Sequence, residues 1–267
     1  VNNGKLTFLH RDTSVSETTF TVTVKDEDAG HDPATETVVV QVVRPSATDG
    51  SDALLWLDAA SVQATDGSAM GTWPDRSGRG NDGSQSVSAA RPVFNQDAAG
   101  DGFPEVVFGG DDRHFDLPLA SFPTTAQTIV ALHHVPAAAG EQTVLMSEAL
   151  ELMVTGNPDP SGHDLELRHV SLTAALHGNE PVTDAWRIST IASDASDRVA
   201  FLDGLWSASG TDATRQNRVA IQPALGVCKK KWTEAGASTF SYSHPLEGSL
   251  REVIQFDRAL GSVARRE

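Results

Sequence analysis

Near the end of the chain, Leu246-Glu-Gly-Ser-Leu-Arg-Glu-Val-Ile-Gln-Phe-Asp-Arg-Ala-Leu260 alternates with a period of two. Leu250, Ile254 and Phe256 fall on one side of an extended backbone and Arg251, Gln255 and Asp257 on the other, as in a strand with one buried face. Val253 is the one apolar residue on the polar side. Glu252 shares register with the apolar set, so a regular strand would aim its carboxylate at the core, where it needs hydrogen-bond partners or a shifted pKa. After Phe256 the pattern changes: Asp257 suits a helix N-cap, and the tail from Arg258 could begin a short helix or fray.

Alternation of this kind recurs along a chain of 267 residues, long enough to bury a full core, and 22 glycines and 13 prolines favour many turns over long helices. No uninterrupted apolar run approaches the roughly 20 residues of a membrane span, so no membrane insertion is expected. A formal net charge of -16 opposes nucleic acid and anionic membranes as partners and suits a secreted protein or one that uses divalent cations. The single cysteine, Cys228, cannot close an intramolecular disulfide. Val1-Asn-Asn-Gly has neither an initiator Met nor a signal region and reads as a processed or cut end.

Residues 1–45 read as a small β segment. Phe20–Val24 and Glu36–Val43 alternate around the polar turn Lys25-Asp-Glu-Asp-Ala-Gly-His-Asp-Pro33, which makes a hairpin. Residues 46–52 have linker composition. From residue 53 onward short alternating segments follow one another: Ala53–Ala59, Glu105–Pro118, Thr128–Val135, Gln142–Ser147, then Leu150–Val154 with Asp164–Arg168, then Trp186–Ala192 with Arg198–Trp206. Many short strands with regular turns argue for an all-β, two-sheet antiparallel sandwich.

The C-terminal run Gly248, Leu250, Glu252, Val253, Ile254, Phe256, Asp257, Arg258, Ala259, Leu260 resembles the closing strand of bacterial concanavalin A-like jelly rolls of the laminin-G-like type. Leu55-Trp-Leu-Asp-Ala59, Trp73-Pro-Asp-Arg-Ser-Gly-Arg-Gly-Asn81 and Arg91-Pro92 resemble the opening of the same family, and Phe201-Leu-Asp-Gly204 its turn between adjacent strands. The hairpin in 1–45 resembles part of a cadherin-like or immunoglobulin-like repeat. The resemblance implies a jelly roll over 53–267 in an extracellular or cell-surface protein, with a site on the concave sheet or on loops at one rim. It says more about fold than function, because this fold carries lectins, adhesins, glycosidases and lyases.

Glucanases of this fold place two carboxylates on one strand in a Glu-x-Asp-x-Glu or Glu-x-Asp-x-x-Glu pattern. Neither pattern occurs; Glu148 with Glu151 and Glu166 with His169 are the nearest approaches. A lyase needs a His or Tyr base beside a cation that neutralises the substrate carboxylate. Tyr242 is the only tyrosine, and His133, His134, His163, His169 and His177 have no partner recognisable by spacing. On the strand 128–135 one of His133 and His134 must face in and the other out.

Binding a sugar needs less: an aromatic face and a few polar groups for its hydroxyls. Trp56, Trp73 and Trp186 sit in core-like patterns, whereas Trp206 and Trp232 lie beside loops and are the candidate platforms, with Asp111 and Asp112 as hydroxyl or calcium partners next to Asp116. Asp26, Asp28 and Asp32 could bind calcium, since a hard cation wants several carboxylates in one loop. The plain reading of each acidic cluster is a solvated turn.

The expectation is therefore a non-catalytic, lectin- or adhesin-type module whose partner is a glycan or another surface component. Two other readings stand beside it. One is a structural subunit that forms filaments or oligomers by strand addition through residues 1–45. The other is a glycosidase or lyase whose site comes from distant strands.

Overall fold

The computed structural model describes residues 17–24, 34–41, 53–97, 100–118, 126–136, 141–146, 151–155, 165–168, 176–178, 185–193, 197–203, 205–211, 223–234 and 237–259. The chain divides into two compact units, Val1–Arg44 with Glu267, and Pro45–Arg266. In the first, β1 (Glu17–Val24) and β2 (Ala34–Gln41) pair antiparallel, Glu17 opposite Gln41 and Val24 opposite Ala34. This is the alternation read from Phe20–Val24 and Glu36–Val43.

The second unit opens with β3 (Ala53–Asp58), β4 (Thr72–Trp73), β5 (Gly83–Ser84), β6 (Val93–Asn95), β7 (Glu105–Gly109) and β8 (Phe115–Asp116). The middle supplies β9 (Gln127–His134), β10 (Glu141–Met146), β11 (Glu151–Thr155), β12 (Leu165–Arg168), β13 (Leu176–Gly178), β14 (Trp186–Ser193), β15 (Asp197–Leu202) and β16 (Leu205–Thr211). The last quarter adds β17 (Ala224–Leu225), β18 (Cys228–Glu234), β19 (Ala237–Ser243) and β20 (Glu247–Phe256). One sheet runs β13-β12-β11-β10-β17-β8-β5-β4, the other β16-β15-β14-β9-β20-β7-β6, with β3 also on β20; β18 and β19 form a separate hairpin. The fold is an all-β, two-sheet antiparallel sandwich.

Its core lies between the sheets. Trp73 on β4 and Phe115 on β8 meet at 6.0 Å between ring centroids, and Phe108, from β7 in the other sheet, meets Phe115 edge-on at 6.3 Å and 86°. All three rings are buried, and tilted or edge-on aromatic pairs add about 0.5–1.5 kcal/mol each to the gain from burial. The seam needs a glycine: Gly226 has φ +83°, and a Cβ there would lie 2.3 Å from Cδ1 of Phe108.

β20 departs from the regular strand expected of it. Its pairing with β9 slips between Leu250 and Glu252, a bulge at Arg251, and an extra residue inverts the alternation beyond it. Leu250, Val253 and Gln255 are fully buried, with Leu250 and Val253 in the core, whereas Glu252, Ile254 and Phe256 are only half-buried, on the outer face. The Glu252 carboxylate is thereby kept out of the core, and its Oε1 accepts the indole N–H of Trp56 at 2.7 Å. Trp56, expected in the core, is buried on the same outer face beneath the Arg76 guanidinium, 4.6 Å from its ring. At the bulge β20 also changes partner on one edge, from β7 (Glu247–Leu250) to β3 (Glu252–Phe256).

The Trp73–Asn81 turn is organised by one side chain. Oδ1 of Asp75 accepts the backbone N–H of Trp56 and Ser77, and Oδ2 accepts the Ser77 hydroxyl and the Asn81 N–H, all within 2.9 Å. Asn81 in turn donates to the Leu54 carbonyl at 2.7 Å. The motif that resembles the family's opening therefore ties a turn to the first strand of the sandwich.

Candidate functional site

The loop from β7 to β8, Gly110-Asp-Asp-Arg-His114, is shaped by its own side chains. Oδ1 of Asp111 accepts the Arg113 N–H at 3.1 Å and its Oδ2 lies 3.4 Å from Nε of Arg113. The loop delivers His114 to a buried position, where Nδ1 lies 2.6 Å from the Asp112 carbonyl and Nε2 3.0 Å from Nε2 of Gln85. Because Oε1 of Gln85 accepts the Val87 N–H, its Nε2 must donate, so the His114 proton sits on Nδ1, aimed at the carbonyl. Burial holds the imidazole pKa below its ordinary value, against the opposing pull of that carbonyl and of Asp116, and the ring is neutral near pH 7.

The β18–β19 hairpin then brings two more groups to it. Lys229 and Tyr242 are register partners and share one face. The Lys229 ammonium is buried and donates to Oδ1 of Asp116, which also lies 3.6 Å from Nε2 of His114. The Tyr242 ring stacks on His114 at 5.1 Å and 40°, with the Lys229 nitrogen 5.8 Å from its centroid. Tyr242 stays 40% exposed, one of three large apolar side chains that reach solvent among the described residues, with Val87 and Ile188. Burial of its hydroxyl end raises the phenol pKa, and the nearby charges of Asp116 and Asp112 raise it further.

This arrangement can hold a ligand more readily than it can move protons. Tyr242 offers a solvent-facing ring whose orientation is set by His114 and Lys229, and the exposed Asp112 stands near it. The groups a lyase would use are also present, but both His114 nitrogens are hydrogen-bonded, Lys229 is matched by Asp116, and the phenol is a weaker acid than usual.

Of the residues singled out from the sequence, Asp111 and Asp112 lie in this loop and Asp116 is turned to Lys229. Trp206 and Trp232 fall on β16 and β18, and their side chains are outside the described residues, as are Asp26, Asp28, Asp32, His163 and His169 altogether. His177 lies on β13. His133 faces in and His134 out: Nε2 of His133 meets the Ser189 hydroxyl at 2.8 Å, and the His134 ring lies 5.6 Å from Trp186. Tyr242 had been weighed only as a lyase base, and His114, Gln85 and Lys229 carried no signal by spacing. Reading β18 and β19 as an antiparallel pair is the step that would have opposed Lys229 to Tyr242.

Among the described residues no group of three or more His, Cys, Asp or Glu side chains converges as a metal site. Asp111 does not fit a calcium ligand here, because both oxygens face Arg113.

A second polar cluster lies on the outer face of the sheet that contains β20. The Arg251 guanidinium donates to both oxygens of Asp101 at 2.8 Å, lies 3.8 Å from the Trp186 ring centroid, and sits 3.9 Å from Glu105. Trp186, expected in the core, is half-buried under this cation. Arg251 lowers the Asp101 pKa, while burial raises that of Glu105 against the Arg251 charge. Two carboxylates with pKa values pushed apart are the usual mark of an acid–base couple, yet the Glu105 side chain is only 6% exposed and Asp101 is clamped by the guanidinium.

No protein-family model matches the chain. No curated protein matches it by sequence. Solved structures match by fold. Domain 4 of AbnA, a GH43 extracellular arabinanase from Geobacillus stearothermophilus, in complex with arabinotriose, aligns with TM-score 0.55 and 13% identity over 80% of this chain and 97% of that one. A Trypanosoma rangeli sialidase in complex with 2,3-difluorosialic acid aligns with TM-score 0.54 and 15% identity over 79% of this chain and 31% of that one. The binding domain of Paraclostridial Mosquitocidal Protein 1 aligns with TM-score 0.54 and 13% identity over 83% of this chain and 52% of that one. The chain thus spans about a third of the sialidase and about half of the toxin domain, and what it shares with all three is the β-sandwich.

Proposed function

We propose that the chain is a non-catalytic carbohydrate-binding module of a larger extracellular protein. In this reading residues 53–267 form a jelly roll of the concanavalin A-like, laminin-G-like kind, and 1–45 belong to a partial cadherin-like or immunoglobulin-like repeat that precedes it. The sugar lies on Tyr242, and Asp112 and Asp111 accept hydrogen bonds from its hydroxyls. The observation that carries the reading is the exposed Tyr242 ring held on His114 near the exposed Asp112 carboxylate. An arabinanase domain of similar fold, solved with arabinotriose, supports it. The acidic turn at Asp26, Asp28 and Asp32 stays a calcium proposal, read from the sequence alone.

A glycan array followed by calorimetry on the wild-type chain, Tyr242→Ala and Asp112→Asn tests the site. Loss of a sugar–ring contact is expected to cost about 1.5 kcal/mol, or roughly tenfold in Kd. A Kd unchanged in both variants, with the Tyr242 ring resonance unmoved by the ligand, overturns the site, and no binding across the array overturns the reading.

The grouping of Tyr242, His114 and Lys229 favours one second reading, a polysaccharide lyase. Release of unsaturated product from an acidic polysaccharide, read by absorbance and lost in Tyr242→Phe, would establish it in place of binding alone.

A further inference from the structure

The inference concerns a cleft at the place where the sheet containing β20 divides. β3 leaves the edge of β20 at Asp58 and β7 joins it at Val106, on either side of the Arg251 bulge. Residues 60–65 after β3, with Phe94, Gln96, Gly102 and Pro104, line an open cleft of about 380 Å³, within the size range of small-molecule sites.

The lining of the cleft has a consistent chemistry. The lining is mostly polar, with the amides of Gln63 and Gln96 and the hydroxyl of Thr65, and Val62, Ala64 and Pro104 add apolar patches over Phe94. No lining residue is ionisable. Both amides are on exposed residues. An amide offers a donor and an acceptor together, which is what a hydroxyl requires, and it gains nothing from a charged ligand.

The walls are held from behind by aspartates. Asp58 accepts the Ala60 N–H, Asp66 the Gln96 N–H and Asp97 the Gly102 N–H, at 2.8, 2.8 and 2.7 Å. Gly67 donates to the Phe94 carbonyl and Phe94 to that of Ser68, both at 2.9 Å, while Arg251 clamps Asp101 of the same loop. The cleft is therefore pre-formed, which limits the ordering cost of binding. Asp58, Asp66, Asp97 and Asp101 thus border the cleft, with Asp58 matched by Arg76 and Asp101 by Arg251. An anionic ligand meets repulsion there, and a neutral one does not.

We infer that this cleft is a binding site for one or two residues of a neutral saccharide, held by the Gln63 and Gln96 amides over the apolar patches. It is separate from the Tyr242 platform and does not depend on it.

The test uses the full chain with nitrogen-15 labelling, and the side-chain amides of Gln63 and Gln96 are assigned from Gln63→Ala and Gln96→Ala. Arabinotriose, xylotriose and cellotriose are titrated as neutral probes and trigalacturonate as the acidic one. At least one neutral trisaccharide is expected to shift both amides. Its Kd should rise about tenfold in the double variant, the loss of two neutral hydrogen bonds, with the urea midpoint unchanged, and the amide shifts should persist in Tyr242→Ala. If no neutral probe moves either amide at millimolar concentration, or if trigalacturonate moves them as strongly, the inference is overturned. Neither of those results bears on the Tyr242 site, whose failure would appear as a Tyr242 ring resonance that no saccharide moves.

Discussion

His133 gives the sandwich an acid-sensitive core. The side chain is fully buried, its Nε2 meets the Ser189 hydroxyl at 2.8 Å, and burial lowers its pKa from 6.5 to about 4, with Asp203 pulling the other way and His134 and Arg187 adding to the fall. At pH 7.5 the imidazole is neutral in both the folded and the unfolded chain and contributes nothing to the pH dependence. Below 6.5 the unfolded chain takes up a proton that the folded chain refuses, so stability falls with pH until about 4. The full span corresponds to roughly 3 kcal/mol, of which about 2 kcal/mol should be lost by pH 5. Urea unfolding of wild type and His133→Gln at pH 7.5 and pH 5, followed by tryptophan fluorescence, isolates this contribution, because other titrating groups are common to both chains. The wild type should lose about 2 kcal/mol more than the variant between the two pH values. Parallel losses, or an imidazole that titrates near 6.5 by NMR, would refute the argument.

Three other outcomes are expected. Asp75→Ala removes the acceptor of four hydrogen bonds in the Trp73–Asn81 turn and should cost about 3 kcal/mol, lowering Tm by roughly 10 °C; a Tm within a degree or two of wild type by calorimetry contradicts the role assigned to that turn. Gly226→Ala forces a Cβ onto the Phe108 ring at positive φ and should cost about 3 kcal/mol or more in urea unfolding, so an unchanged midpoint counts against the seam packing. Chelation with EDTA should leave glycan affinity at Tyr242 unchanged, since Asp111 and Asp116 are matched by Arg113 and Lys229; a calorimetric Kd that weakens on chelation would show a cation at that site.

What could be read in advance follows from the range of the interactions involved. The Asp75 turn is local, so its sequence of turn residues carried the structure directly, and the hairpin of β1 and β2 was visible as alternation on either side of a polar turn. The bulge at Arg251 was not legible, because a single extra residue reverses every side chain beyond it while the apolar–polar string looks the same. Trp56 and Trp186 were placed in the core for their apolar surroundings; Trp56 is buried but lies outside the central cluster beneath Arg76 of the Asp75 turn, and Trp186 is only half-buried, beneath Arg251 from a distant strand. At the candidate site Asp112 stood out for its acidity alone. The ring that gives it meaning, Tyr242, arrives on a hairpin from the other end of the chain, and such pairings are set by tertiary packing rather than by spacing.

The position of β20 in its sheet has a kinetic consequence. This late strand lies between β9 on one edge and β3 and β7 on the other, so the two halves of the sheet have no shared centre until Glu247–Phe256 has left the ribosome. Loop closure over such distances is slow, and until then the apolar sides of β3, β7 and β9 stay open to aggregation.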